Sequence, residues 1–227
     1  GRGSGAGIGP VTANVTEVVV TDSIRLGPVK AELGFKGGLN GSFSGNFKGG
    51  PLVYGTLAPH QHGTQMRVTS NNGGQIAQLM GVVKSASKGA LTLSMVPRAA
   101  KGEYDGVLEI KDVKVQQMPL VAELLNAISV IGLVEQLAGP GILFTDVFAR
   151  FRLTPDRLVI GESSAAGPSM GLSANGTYGF VQEWFNFQGT VSPIYAVNVI
   201  GRPFARRGEG LIGFNYTLRG PAKQPEI

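Results

Sequence analysis

Residue types that commonly carry catalysis or bind metals are scarce in this chain. His60 and His62 lie two positions apart, which would place two imidazoles on one face of a strand and suit two metal ligands. No third ligand is evident nearby and the segment contains proline and glycine, so we predict exposed loop histidines. No Gly-x-Ser-x-Gly elbow accompanies them, and a hydrolase would need a nucleophile beside His60 or His62.

Acid–base and phosphate chemistry are equally poorly supported. Glu123 and Glu135 form the best carboxylate pair, but on one helix they would lie about 18 Å apart. This distance is too large for paired acid–base catalysis. The glycine-rich start of the chain lacks the Gly-Lys-Ser/Thr of a phosphate loop, and Cys 0 excludes thiolate sites. We therefore expect a protein that is not an enzyme and that has no metal site and no cofactor.

The chain has many hydrophobic residues and few charged ones. Of 227 residues, 42% are hydrophobic and only 15% are charged, which indicates much apolar surface facing a sheltered interior or a ligand. The net charge of +5 makes nucleic acid or an anionic membrane conceivable partners. The basic residues are scattered apart from Arg202, Arg206 and Arg207, and no aromatic-and-basic stripe accompanies them, so we expect no nucleic acid.

A long apolar segment organises the chain. Apolar residues recur at helical spacing over about 119–138, between Pro119 and a Gly-Pro-Gly stop, and predict one long helix. Only Glu123 and Glu135 are charged, so most of its girth must lie against apolar surface. It could be a core helix that plugs a sheet, or a helix at the mouth of a lipid-holding cavity or on a membrane. Its two carboxylates argue against a transmembrane span.

Around this helix, apolar and polar residues alternate with a period of two, and turn signals recur about every ten residues. The pattern predicts a mainly β chain, an antiparallel meander of about ten strands whose first strand runs from Val11 to Thr21, with two short helices near Ile76–Val83 and Pro193–Ile200. Glycines inside the strands favour a strongly curved sheet, a β-groove with an apolar concave face, although a filled sandwich would show the same alternation. We expect a glycine-rich linker at 1–10 and one domain at 11–227.

An apolar face that the helix cannot cover completely could be covered by acyl chains. The more apolar of the two alternating sets in each strand is the candidate contact face, and a one-residue shift in register would replace it with the other set. The candidate lipid contacts are Leu33, Phe35, Phe43, Phe47, Leu108, Ile110, Leu124, Ile128, Ile131, Met170, Leu172, Phe185, Phe187, Phe214 and Tyr216.

The order of the segments from about Arg67 to Pro225 resembles the C-terminal region of AsmA-like proteins, including the bacterial YhdP and TamB relatives. The most specific parts are ISVIGLVEQLAGPGILF, SMGLSANGTYGF and GTVSPIYAVN. The family pattern runs on into a proline-rich stretch, so we expect this chain to be a piece of a longer one.

The resemblance implies a periplasmic protein of Gram-negative bacteria, anchored to the inner membrane through a segment outside this chain. It implies a non-catalytic groove that carries phospholipid toward the outer membrane, with a membrane surface and an outer-membrane or periplasmic protein as further partners. The alternative is a structural or assembly module of the envelope, with a filled core and no lipid, that docks onto an outer-membrane protein.

Overall fold

The computed structural model describes residues 9–21, 24–193 and 213–227. Within them the chain forms thirteen strands and three helices. The strands are β1 (Val11–Val15), β2 (Val18–Thr21), β3 (Ile24–Gly34), β4 (Asn40–Phe47), β5 (Leu52–His60), β6 (Gly63–Ser70), β7 (Ser85–Pro97), β8 (Tyr104–Gln116), β9 (Ile142–Leu153), β10 (Arg157–Ala166), β11 (Gly171–Gly179), β12 (Trp184–Ser192) and β13 (Phe214–Pro221). The helices are α1 (Gly73–Leu79), α2 (Pro119–Ala127) and α3 (Ile131–Ala138).

The strands form one open antiparallel sheet in which neighbours in sequence are neighbours in space. From β3 onward each strand pairs with the next, and β1 and β2 both pair with β3. The predicted mainly β meander is confirmed. The run from Val11 to Thr21, which we expected to be one strand, is divided between β1 and β2, with Thr16 and Glu17 between them.

Because the strands alternate in direction, their connections alternate between the two ends of the sheet. At the end that we call the turn end, tight turns join β5 to β6, β7 to β8, β9 to β10 and β11 to β12. At the opposite end, the helix end, α1 joins β6 to β7, and α2 with α3 joins β8 to β9. The described helices are therefore all inserted at one end of the sheet.

The expected single helix at about 119–138 is wrong. The segment forms two helices, α2 and α3, because the chain turns at Ser129, whose φ is +59°. The backbone N–H of Ser129 donates to the carbonyl of Asn126 (3.0 Å) and that of Val130 donates to the carbonyl of Leu125 (2.9 Å). This pair of bonds is a Schellman ending, which closes α2 before α3 begins.

The first predicted short helix is confirmed as α1, although α1 spans Gly73–Leu79 and not the predicted Ile76–Val83. Its N-cap is Asn72, whose side chain accepts a hydrogen bond from the backbone N–H of Gln75 (3.2 Å). The second, at Pro193–Ile200, lies outside the described residues apart from Pro193.

The helices cover the sheet near the helix end and form the main core with it. Leu125, Leu137 and Ile142 are almost completely buried there, and Phe144 and Met170 belong to the same cluster. We call the sheet face beneath the helices the inner face. Helix α1 lies so close to β7 that a side chain at Gly74 would overlap the backbone of Ser87.

Candidate functional site

The inner face continues beyond the helices as successive rows of cross-strand neighbours. We name each row after its member in β7, where Leu91, Leu93, Met95 and Pro97 alternate with residues of the opposite, outer face. The Leu91 row comprises Ser70, Leu91, Ile110, Val147, Ala165, Leu172, Val191 and Phe214. The Leu93 row comprises Ala13, Ala31, Phe43, Gly55, Val68, Leu93, Leu108, Ala149 and Ser163.

The next row crosses the whole sheet. The Met95 row comprises Val11, Leu33, Gly41, Leu57, Met66, Met95, Gly106, Phe151, Ile160, Gly176, Phe187 and Leu218. The Pro97 row, nearest the turn end, comprises Pro97, Tyr104, Leu153, Leu158, Tyr178, Phe185 and Gly220. Every member of the Met95 row is apolar or glycine, so the face is apolar from one edge of the sheet to the other.

Helix cover ends part-way along these rows. The helix-covered core includes the side chains of Leu93 and Leu108, but among the described residues it takes none from the Met95 or Pro97 rows. Phe187 and Pro97 are buried, whereas the other large side chains of these two rows in β7 to β12, such as Met95, Phe151 and Tyr178, are half-buried.

Glycines in these rows make room for aromatic rings. A side chain at Gly55 would overlap the ring of Phe43, and a side chain at Gly106 would overlap the ring of Phe151. Each ring therefore lies across the backbone of the neighbouring strand instead of standing away from the sheet. At Gly55 and Gly106, the lack of a side chain is therefore explained by an aromatic ring from the neighbouring strand, which occupies that space.

Aromatic side chains form a strip on β11 and β12 that runs toward the turn end. The ring centroids of Phe187 and Phe185 are 6.0 Å apart, and those of Phe185 and Tyr178 are 5.0 Å apart. Phe180 continues the strip, 5.7 Å from Tyr178 in an edge-to-face arrangement.

Tyr216 is the most strongly perturbed ionisable group on this face. Its hydroxyl donates a hydrogen bond to the backbone carbonyl of Ser173 (2.9 Å), passing over Gly189. Burial raises the pKa of Tyr216 to about 12, so the phenol stays neutral throughout the physiological range.

The outer face is polar and carries exposed ion pairs. Lys111 pairs with Asp146 (2.6 Å), and Arg152 and Arg98 both bind Asp105 (2.9 and 2.6 Å). Burial alone would raise the pKa of Asp105, but the hydrogen bonds from the two arginines outweigh it and lower that pKa below its ordinary value. The two faces of the sheet therefore differ sharply in polarity.

The structure places the predicted contact residues in three groups. Ile110, Leu124, Met170, Phe47 and Phe187 are buried, and Met170 has no exposed surface at all. Leu33, Phe43, Leu108, Ile128, Leu172, Phe185 and Tyr216 are half-buried. Phe35, Ile131 and Phe214 are exposed, with 45%, 66% and 39% of their surface accessible.

Several residues of this face were not among the predicted contacts. They are Leu57, Met66, Val68, Leu93, Met95, Phe151, Leu153, Leu158, Ile160 and Tyr178. Period-two alternation was the available signal for most of them, but it marks a face only after the register with neighbouring strands is known.

The described residues contain no group of three or more His, Cys, Asp or Glu side chains that could hold a metal ion. The rings of His60 and His62 are 5.7 Å apart, and the backbone N–H of His62 donates to Nδ1 of His60 (3.3 Å). His62 is exposed as expected, whereas His60 is half-buried as the last residue of β5.

A separate hollow of about 500 Å³ lies where the β4–β5 turn meets the start of α1. Its lining contains no charged side chain and consists of Gly49, Gly50, Pro51, Leu52, Tyr54, Ser70, Asn71, Asn72 and Gln75. It differs from the inner face because polar groups make up most of its surface.

No helix in the described part of the chain is both long enough and apolar enough to cross a membrane. Comparisons with protein-family models, curated proteins and solved structures found no match to this chain.

Proposed function

We propose that this chain is a non-catalytic segment of a lipid carrier whose inner face binds the acyl chains of phospholipids. The observation that supports this most is the extent of the apolar face. The Met95 row is apolar or glycine across the whole sheet, and the helix-covered core takes no side chain from it in the described residues. A soluble protein that leaves so large an apolar surface without helix cover needs a ligand or partner to cover it.

We infer that the inner face is concave. Side chains such as Met95, Leu158 and Tyr178 are half-buried although the helix-covered core does not reach them. Mutual shielding of this kind is expected where a twisted sheet bends and its side chains converge. The bend would give a trough with the helices at one end and the turn end open.

The chemistry of this face suits acyl chains. Hydrocarbon tails need no directed hydrogen bonds, and each buried methylene contributes about 0.8 kcal/mol. The flat rings of Phe43 and Phe151 leave room above the backbone, and the neutral Tyr216 adds no charge. By the resemblance to AsmA-like proteins, the proposed setting is the periplasm, with transfer of lipid between the inner and outer membranes and an anchor outside this chain.

The structural or assembly module remains a second candidate because the region under the helices is filled. Leu125, Leu137, Ile142 and Met170 have at most 1% of their surface exposed. If the whole inner face were closed in the same way by a docked envelope protein, it would hold no lipid.

The experiment compares Phe43→Asp with Ser42→Asp, since the two adjacent residues of β4 face opposite sides of the sheet. Native mass spectrometry after mild extraction should show bound phospholipid on the wild type and on Ser42→Asp. Phe43→Asp should lose most of the lipid and keep its circular dichroism spectrum, because Phe43 is only half-buried. Lipid-free wild-type protein, or unfolding of Phe43→Asp, would favour the assembly module instead.

A further inference from the structure

The β11–β12 tip, as we call it, comprises residues 180–184, which are the turn between β11 and β12 and the first residue of β12. It is unusually apolar for an exposed hairpin end. Phe180, Val181 and Trp184 have 38%, 78% and 50% of their surface exposed. The other tight turns at the same end contain polar groups instead, among them His62, Lys101 and Asp156. Three large apolar side chains at the end of one hairpin indicate a surface that contacts something apolar.

The three side chains surround the tip rather than occupy one face of it. Phe180 contacts the ring of Tyr178 on the inner face. Trp184 pairs with Gly179 and alternates with Phe185, so it belongs to the outer face. Val181 stands between them in the turn itself. A partner packed against one face would cover Phe180 or Trp184 but not both, whereas an apolar medium entered end-on covers all three.

The backbone holds the tip in place. The N–H of Phe180 donates to the carbonyl of Asp156 in the neighbouring turn (2.9 Å), and the N–H of Ala222 donates to the carbonyl of Glu183 (2.6 Å). Asp156 is in turn paired with Arg157 (2.6 Å), so the closest charges on the β9–β10 side offset each other. The tip therefore presents its apolar groups without having to rearrange.

Polar groups at the tip limit how deeply it can enter an apolar medium. Gln182 and Glu183 are exposed within the turn, and an ionised carboxylate is costly to place in hydrocarbon. Tryptophan is favoured at the headgroup level of membranes, where its ring meets the acyl region and its N–H meets water. The combination fits the interface of a bilayer better than its centre.

We propose that the β11–β12 tip inserts into the headgroup interface of a lipid bilayer. This contact brings the open turn end of the inner face to the membrane, a role that rests on the proposed function. The strip of Phe180, Tyr178, Phe185 and Phe187 then forms a continuous apolar path from the bilayer to the Met95 row.

Trp184 makes the insertion directly measurable because it is the only tryptophan in the chain (Trp 1). Its emission should shift to the blue when the full chain is mixed with phosphatidylcholine vesicles, and brominated phosphatidylcholine should quench it. Phosphatidylcholine vesicles carry no net charge, so binding to them tests the apolar tip apart from the attraction between anionic lipid and the chain's net charge of +5.

Val181→Asp should weaken vesicle binding by about tenfold or more, because it puts a charge at the most exposed point of the tip. Val82→Asp is the matched control, since Val82 is 72% exposed but precedes β7 at the helix end. It should bind vesicles like the wild type. Val181→Ser adds no charge and should give a smaller loss of vesicle binding than Val181→Asp. It shows whether the loss persists in a variant that is less prone to a folding defect.

An unchanged Trp184 spectrum with vesicles, or equal losses in Val181→Asp and Val82→Asp, would overturn the insertion. Binding of monomeric lysophosphatidylcholine, measured below its micelle concentration, separates the two proposals. If the wild type binds the monomer but Trp184 stays in water on vesicles, the tip proposal fails and the acyl site stands. If Trp184 inserts while the monomer does not bind, insertion stands and the lipid-carrier function fails.

Discussion

At the scale of single residues, burial explains the perturbed pKa of Tyr216. The phenol crosses Gly189 to reach the carbonyl of Ser173, and the lack of a side chain at Gly189 makes that path available. Loss of the proton would place a charge against a low-dielectric surface, so the folded state favours the neutral form.

Tyr216→Phe should lower the free energy of unfolding at neutral pH by about 1 kcal/mol, because the carbonyl of Ser173 loses a donor. The wild type should also lose stability as the pH rises from about 10 to about 12, since the pKa is raised in the folded state and an unfolded tyrosine ionises first. Urea unfolding across this range, compared with Tyr216→Phe, measures the effect.

The difference between the two proteins should shrink over that interval. Tyr54→Phe is the control, because 55% of Tyr54 is exposed, and it should follow the wild type throughout. A constant difference between wild type and Tyr216→Phe from pH 10 to 12 would contradict the burial of the phenol.

At the scale of elements, the break between α2 and α3 shows how one backbone angle redirects an apolar segment. Periodicity over 119–138 continues through the break, because apolar side chains on both helices point into the same core. Val121 and Leu125 from α2 and Leu133 and Leu137 from α3 are all buried together.

Ser129→Gly should raise the free energy of unfolding by about 0.5 to 1 kcal/mol, since glycine adopts the left-handed conformation at φ +59° without steric cost. Glu123→Gly is the control. Glu123 lies within α2 and is exposed, so glycine there should destabilise by about 0.5 to 1 kcal/mol. Chemical denaturation gives both values, and destabilisation by Ser129→Gly would indicate a continuous helix.

At the scale of the whole molecule, the first edge of the open sheet carries exposed apolar residues. Strands β1 and β2 contain no charged residue, and Val15 and Val19 are 42% and 53% exposed. In the described part of the chain only β3 pairs with them. At the other edge, Arg219 of β13 bonds through its backbone to Glu226, which occupies part of that edge. An uncharged β-branched edge favours pairing with another strand.

We expect copies of the wild type to self-associate through this edge. Val19→Lys should weaken that association by about tenfold or more, equivalent to about 1.4 kcal/mol, because it places a charge on the edge. Its unfolding midpoint should change little, since Val19 is exposed. Sedimentation velocity over a range of concentrations makes the measurement. Self-association that persists unchanged in Val19→Lys would exclude this edge as the contact.

Most of the fold could be predicted from local signals. Alternation and turn residues predicted the strands from β3 to β13 and their antiparallel order, and Asn72 marked the start of α1. The division between β1 and β2 and the turn at Ser129 were missed. Both depend on what the segment packs against, because neither Thr16-Glu17 nor Ser129 is a strong breaker of secondary structure.

The sequence by itself determined that the chain is a β meander with more apolar strand surface than polar chemistry, because period-two alternation is a local property of the backbone. Only the tertiary structure decided how those residues combine. Left-handed conformations at Lys88 and Asp112 (φ +62° and +56°) shift the alternation within β7 and β8, so that Ile110 and Val113 both enter the core. Register across twelve neighbouring strands then aligned the Met95 row, and the docking of the helices at one end left that row and the β11–β12 tip outside the core. These outcomes depend on contacts between residues far apart in the chain, which no local pattern contains.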